Sequence, residues 1–154
     1  MKKLVLLSVT LIFMALLMAC ATRASGPTGQ VGTVETQVEA ALAAIYERYA
    51  GNLILEGAGS YTVVSGDTLS AISLAIYNTG FYYPIIMLAS REIVLDPDRI
   101  FPDMVLTIPD VQLNLASDTA RASIRDFLRE IAVIEDQRRR PQTAAGLRNL
   151  ANSL

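Results

Sequence analysis

Two short runs, SYTVV (60–64) and MVLTI (104–108, ending at Pro109), constrain this chain more than any other feature. Their β-branched and aromatic content suits strands. The stretch between them reads as helix. Leu69, Ile72 and Ile76 recur at helical spacing behind Asp67 or Thr68, either of which can act as N-cap. Pro84, suited to a first helical position, opens a second helix carrying Ile85, Ile86, Leu88 and Ala89. The order is therefore β-α-α-β, an α+β fold in which the two strands pair antiparallel and both helices cover one face. A two-stranded sheet is marginal alone, so the helices must supply its core. Tyr61, Val63, Leu69, Ile72, Ile76, Ile86, Ile100, Leu106 and Ile108 are the expected contributors.

Helical patterns flank this unit. Val34, Val38, Leu42, Ile45 and Tyr49 form an apolar stripe, which predicts an amphipathic helix over 34–51 with Thr33 or Thr36 at its start and Gly51 as its stop. A C-terminal helical region covers 117–154. Ser117 or Asp118 caps a stripe of Ile124, Phe127, Leu128, Ile131 and Ile134. Arg138-Arg139-Arg140 then fall in its last turn, where cations suit the helix dipole, and Pro141 stops it before a final short helix. The arginines are expected to be solvated; contact with anionic lipid is the alternative.

The N-terminus reads as a secretory leader over 1–19. Lys2 and Lys3 precede an apolar stretch, Leu4 to Met18, that is too short for a comfortable span of about 20 residues. The Leu17-Met18-Ala19-Cys20 ending resembles a bacterial lipobox. That resemblance implies cleavage before Cys20 and acylation there, by chains such as palmitate. Cys20 is the only cysteine of the chain, so it has no internal disulfide partner. Residues 20–33, small, polar and bearing Gly and Pro, read as a flexible tether with an r.m.s. span of roughly 20 Å. Ala21 after the cysteine resembles outer-membrane sorting in Gram-negative lipoproteins.

Composition narrows the chemistry. Both lysines lie in the leader, leaving 11 arginines against 15 acidic residues from Cys20 onward. That balance offers no basic excess for nucleic acid. Histidine is absent, which excludes His-based metal sites and a Ser-His-Asp triad. No pair of acids is set apart by spacing as general acid and base, and Asp96, Asp98 and Asp103 do not follow an EF-hand loop. The expectation is a binding protein, with no catalytic residues, no metal and no cofactor beyond the lipid at Cys20.

The central motifs carry a family resemblance. Tyr61-x-Val63-x-x-Gly66-Asp67-Thr68-Leu69-x-x-Ile72, followed by Ile76-Tyr77, resembles the first half of a LysM domain. Ala89, Arg91, Val94, Asp96-Pro97-Asp98, Ile100, Pro102, Leu106 and Ile108-Pro109 resemble the second half, in order and without a gap. The resemblance covers 60–111. It implies binding of an N-acetylglucosamine polymer, peptidoglycan or chitin, in a shallow groove between two loops. Gly66, Asp67, Thr68 and Leu69 would form one wall, and Asp96, Pro97, Asp98, Arg99 and Ile100 the other. Gly66 would let the backbone approach the ligand closely. Asp67 and Thr68 suit both helix capping and ligand contact, while Leu69 suits the core.

Two positions depart from the family pattern. Ser90 stands where Asn is usual, which predicts a second loop held by fewer hydrogen bonds. Asp103 stands where Gly follows Pro102, and because Asp tolerates positive φ poorly, a type I turn is expected. The reading is a lipid-anchored protein at the periplasmic face of a bacterial envelope, binding peptidoglycan non-covalently. The alternative is an interaction scaffold, in which the LysM fold is structural and the helical flanks bind an envelope protein.

Overall fold

In a computed structural model, residues 34–154 are described. The leader (1–19) and the tether (20–33), including the lipid acceptor Cys20, lie outside the described residues. Helix α1 (Val34–Tyr49) runs into a 3-10 turn at Ala50–Asn52. Strand β1 (Gly59–Thr62), helix α2 (Leu69–Tyr77), a 3-10 turn at Gly80–Tyr82, helix α3 (Tyr83–Ala89) and strand β2 (Val105–Ile108) follow. Helices α4 (Val111–Ala116), α5 (Asp118–Gln137) and α6 (Pro141–Ser153) complete the chain.

The strands pair antiparallel, with Tyr61 opposite Leu106 and Thr62 opposite Val105. Pairing continues past the ladder, because Val63 N–H donates to the Met104 carbonyl at 2.9 Å and Asp103 N–H to the Val63 carbonyl at 3.0 Å. The β-α-α-β order is thus as the strand propensities and helical spacing indicate. Asp103 corrects the expected turn. Its φ is +72°, and Met104 N–H donates to the Phe101 carbonyl at 3.2 Å. Pro102 and Asp103 therefore occupy the central positions of a turn of the type II kind, with Asp carrying the left-handed residue. The Asp103 and Val63 backbone bonds hold that geometry against the side chain's own preference.

Helix α3 is buried from Tyr83 through Leu88, more than a one-faced covering helix requires. The cause lies outside the β-α-α-β unit. One continuous core joins Leu69, Ile72 and Leu106 to Leu42 and Tyr46 of α1, to Phe127, Leu128 and Ile131 of α5, and to Leu147 of α6. Both flanks therefore bury their apolar stripes in the same core as the central unit. Helix α6 also rests on the 3-10 turn through Gly146. A Cβ there would fall 2.1 Å from the Phe81 ring, so only glycine admits that contact. Of the expected core, Ile76 is corrected: it is 39% exposed. Tyr61 and Ile100 pack against the core only half-buried.

The C-terminal arginines are corrected as well. Helix α5 ends at Gln137 with Arg138 as its C-cap, and Pro141 begins α6 rather than merely ending α5. Helix α4 was not foreseen. Asp110 caps it, accepting from Leu113 N–H at 3.0 Å. Its buried Asn114 exchanges two bonds of 2.8 Å with the Ile54 backbone, tying the connection before β1 to the end of the central unit. Six residues are too few for periodicity to announce a helix.

Candidate functional site

The loop from β1 to α2 closes by its own chemistry. Asp67 N–H donates to the Val64 carbonyl at 3.2 Å, making a turn whose third residue, Gly66, has φ +93°. A residue with a side chain is strained at that angle. The space beside Gly66 is open, so the backbone conformation and not packing requires the glycine. The Asp67 carboxylate turns back toward the strand, where Oδ2 accepts from Tyr61 Oη and from Val64 N–H, both at 2.9 Å. Capping of α2 falls to Thr68, whose Oγ1 accepts from Ala71 N–H at 3.2 Å. The two side chains that suited both capping and contact thus divide the work: Asp67 staples the turn and Thr68 starts the helix. Leu69 is buried, as its core reading requires.

The loop after α3 is held differently. Ser90 is buried, and its hydroxyl accepts from Thr107 N–H of β2 at 2.9 Å. Its carbonyl accepts from Ile93 and Val94 N–H, both at 2.9 Å. The expectation of a weakly held loop is therefore corrected: a serine hydroxyl is short enough to sit against the strand and bind it directly. Beyond Ser90, Asp96 takes Asp98 N–H at 3.0 Å and a two-pronged ion pair from Arg138, with both N–O distances 3.0 Å. The side chains of that pair are only 12% and 9% exposed. Burial pushes the Asp96 carboxyl up, but the Asp98 amide and the Arg138 guanidinium outweigh burial and hold it below the usual carboxylate range. Asp98 is bound by Arg140, with Nη1 to Oδ1 at 3.0 Å.

The two loops meet at one pocket of about 250 Å³. Asp67, Thr68, Leu69 and Ser70 line it from the first loop, and Pro97, Asp98 and Ile100 from the second. Gly66, Asp96 and Arg99 do not line it. Gly66 shapes the loop, Asp96 is turned to Arg138, and Arg99 reaches Glu39 of α1 at 3.3 Å. The rest of the lining was missed from sequence: Tyr83 of α3, Glu135 of α5, and Arg140 and Thr143 at the start of α6. Only the opposite charges of Asp96-Pro97-Asp98 and Arg138-Arg139-Arg140 signal that these distant segments meet.

Glu135 has an unusual setting. It is 1% exposed; Oε1 accepts from Tyr83 Oη at 3.0 Å, and Oε2 has no hydrogen-bond partner among the described residues. Burial raises its carboxyl above the ordinary range despite the Tyr83 bond and the nearby guanidinium groups of Arg140 and Arg138. Burial likewise raises the Tyr83 hydroxyl, with the Glu135 charge adding to it. Among the described residues no group of three or more His, Cys, Asp or Glu is placed to hold a metal ion.

The comparisons with known proteins agree with the geometry. A family model for the LysM domain matches residues 61–109. The Potassium binding protein Kbp of Escherichia coli O6:H1 is 36% identical over 87 residues, which are 56% of this chain and 51% of that protein. The chain thus spans about half the length of this curated relative. With its β-α-α-β order, its antiparallel strand pair and its converging loops, the segment 61–109 is a LysM domain.

Proposed function

We propose that this protein binds an N-acetylglucosamine-containing glycan, in the first instance peptidoglycan, in the pocket between its two LysM loops. LysM is a binding domain. The observation that carries the reading is the convergence of Thr68, Leu69, Pro97 and Ile100 on one pocket of about 250 Å³. Apolar Pro97 and Ile100 suit acetamido methyls and ring faces. Thr68, Ser70 and the backbone near Gly66 suit hydroxyls and amides. The contacts are non-covalent, and no step of catalysis is required of any lining residue.

Among the described residues no single helix is long and apolar enough to cross a membrane. In our reading the membrane link is a lipid on Cys20, which places the domain beside its ligand in the cell envelope and raises the local concentration of a weak, shallow site. Incorporation of labelled palmitate that persists in Cys20→Ser rejects this anchor. Sedimentation of the protein with purified sacculi tests the glycan reading. The full chain is expected to co-sediment and to be released by soluble N-acetylglucosamine oligomers, with Gly66→Ala and Thr68→Ala retained less. Sedimentation no greater than that of an unrelated control protein, at high concentration, sinks it.

A second reading comes from the relative that binds potassium. Calorimetric titration with potassium and with sodium chloride separates it from the first. A potassium-specific heat would favour it; equal, ligand-free baselines would remove it. The arrangement favours the glycan, because Asp96 and Asp98 already hold guanidinium groups that a monovalent cation would have to displace. The scaffold alternative is weakened by the flanks themselves, which bury their apolar stripes in the common core rather than present them outward.

A further inference from the structure

We infer that the glycan groove of this protein has a third wall, supplied by the C-terminal helices, and that Glu135, Arg140 and Thr143 take part in ligand binding with the two LysM loops. The inference rests on the glycan reading and deepens it. All three residues lie outside the matched domain, yet all three line the pocket on which its loops converge. Their placement is not incidental. Arg140 bonds Asp98 of the second loop, Glu135 accepts from Tyr83 beneath the pocket, and Gly146 seats α6 against Phe81.

The third wall also gives the groove a chemical preference. Its charged lining is Asp67, Asp98, Glu135 and Arg140, three carboxylates to one guanidinium, so acceptors outnumber donors. Arg140 is committed to Asp98, while Glu135 Oε2 lies 3.7 Å from Arg140 Nη1 without a hydrogen bond. A buried carboxylate oxygen with an ion contact but no hydrogen bond is under-satisfied, and a ligand that brings it a donor relieves that cost. Sugar hydroxyls and acetamido N–H groups are such donors. An anionic glycan brings like charge to the same place. The third wall therefore favours the neutral N-acetylhexosamine units of a glycan such as peptidoglycan, and a carboxylate placed directly against it is selected against.

Calorimetric titration of the full chain with a neutral N-acetylglucosamine pentamer tests this. A glycan alternating N-acetylglucosamine with glucuronic acid serves as the anionic probe. The pentamer is expected to bind the unmodified protein at least about tenfold more tightly than the anionic probe. Glu135→Gln, nearly the same shape, is expected to weaken pentamer binding by about tenfold, the worth of one bond to a charged group. Thr143→Lys fills the pocket from half-exposed α6 and supplies its own donor to the acidic lining. It is expected to weaken binding as much, and it keeps the test open if Glu135→Gln disturbs folding. Pentamer affinity unchanged in both variants, with their circular dichroism unaltered, overturns the third wall and leaves the two-loop site standing. A protein that binds neither probe removes the glycan reading, and the third wall with it.

Discussion

The two walls of the LysM pocket are built on opposite plans. The first, Gly66 to Leu69, is stapled by groups within a few residues of one another: Tyr61 and Val64 to Asp67, and Thr68 to Ala71. The second, Asp96 to Ile100, is clamped by arginines 42 positions away in sequence. A loop closed by local bonds forms wherever its residues are placed in order. The second loop has local bonds too, Asp98 N–H to the Asp96 carboxylate and Arg99 N–H to the Asp96 carbonyl, but its two carboxylates are compensated only when the rest of the chain has folded. The same pocket therefore has one wall that belongs to the domain and one that depends on the helical flank.

The largest effect should come from the clamp. Arg138→Ala leaves Asp96 buried and uncompensated, which is expected to cost about 3 kcal/mol in urea denaturation. Amide exchange should speed up across 96–100 and stay slow across 64–69. Equal loss of protection in both loops would break the contrast between the walls. Replacing Asp96 and Arg138 together by leucines should recover much of the loss, since no buried charge then remains unpaired.

A smaller effect is expected at the first wall. Asp67→Ala removes the acceptor of two hydrogen bonds from a partly exposed turn, for a cost of about 1–2 kcal/mol. The change should appear as faster exchange at Val64 and as lower glycan affinity, while the Asp96–Arg138 pair stays intact. Were 96–100 to loosen as much as 64–69, the first wall would not be the self-contained unit its bonds describe.

The smallest effect is acid–base. Asp96 is held below the usual carboxylate range, so its contribution to stability is present above its unfolded pKa and lost as pH falls through the lowered folded value. Glu135 is raised, and its sign is opposite: its contribution is present below the unfolded pKa and lost as pH rises through the raised folded value. Asp96→Asn should therefore blunt the fall in melting temperature at the acid end, although it lowers stability throughout. Glu135→Gln should blunt the decline on the way to neutral pH. Superimposable melting-temperature profiles for Glu135→Gln and the unmodified protein would show that this carboxyl is not strained by its burial.

Much of the central unit was legible before the structure. Strand propensity marked both strands to within two residues, and helical spacing marked α2 and α3. The misreadings share a cause. Asp103 takes a backbone angle that its side chain resists, because the bonds between Asp103, Val63 and Met104 fix the turn. Ser90 looked like a weak substitute because its value lies in a bond to β2, which sequence spacing does not display. Arg138 and Arg140 looked like solvated ends of a helix, and their partners are invisible without the tertiary fold.

By itself, the sequence determined the β-α-α-β order, the helical flanks, and a first loop that closes on itself, because each of these rests on periodicity or on bonds between near neighbours. Only the tertiary structure decided that the flanks share the LysM core, that arginines after α5 clamp the second loop, and that Glu135 is buried beside the pocket. Those outcomes depend on which surfaces meet across long stretches of chain, and hydrophobic burial, which drives the meeting, is non-directional. An apolar stripe states that a helix will be covered, but not by what.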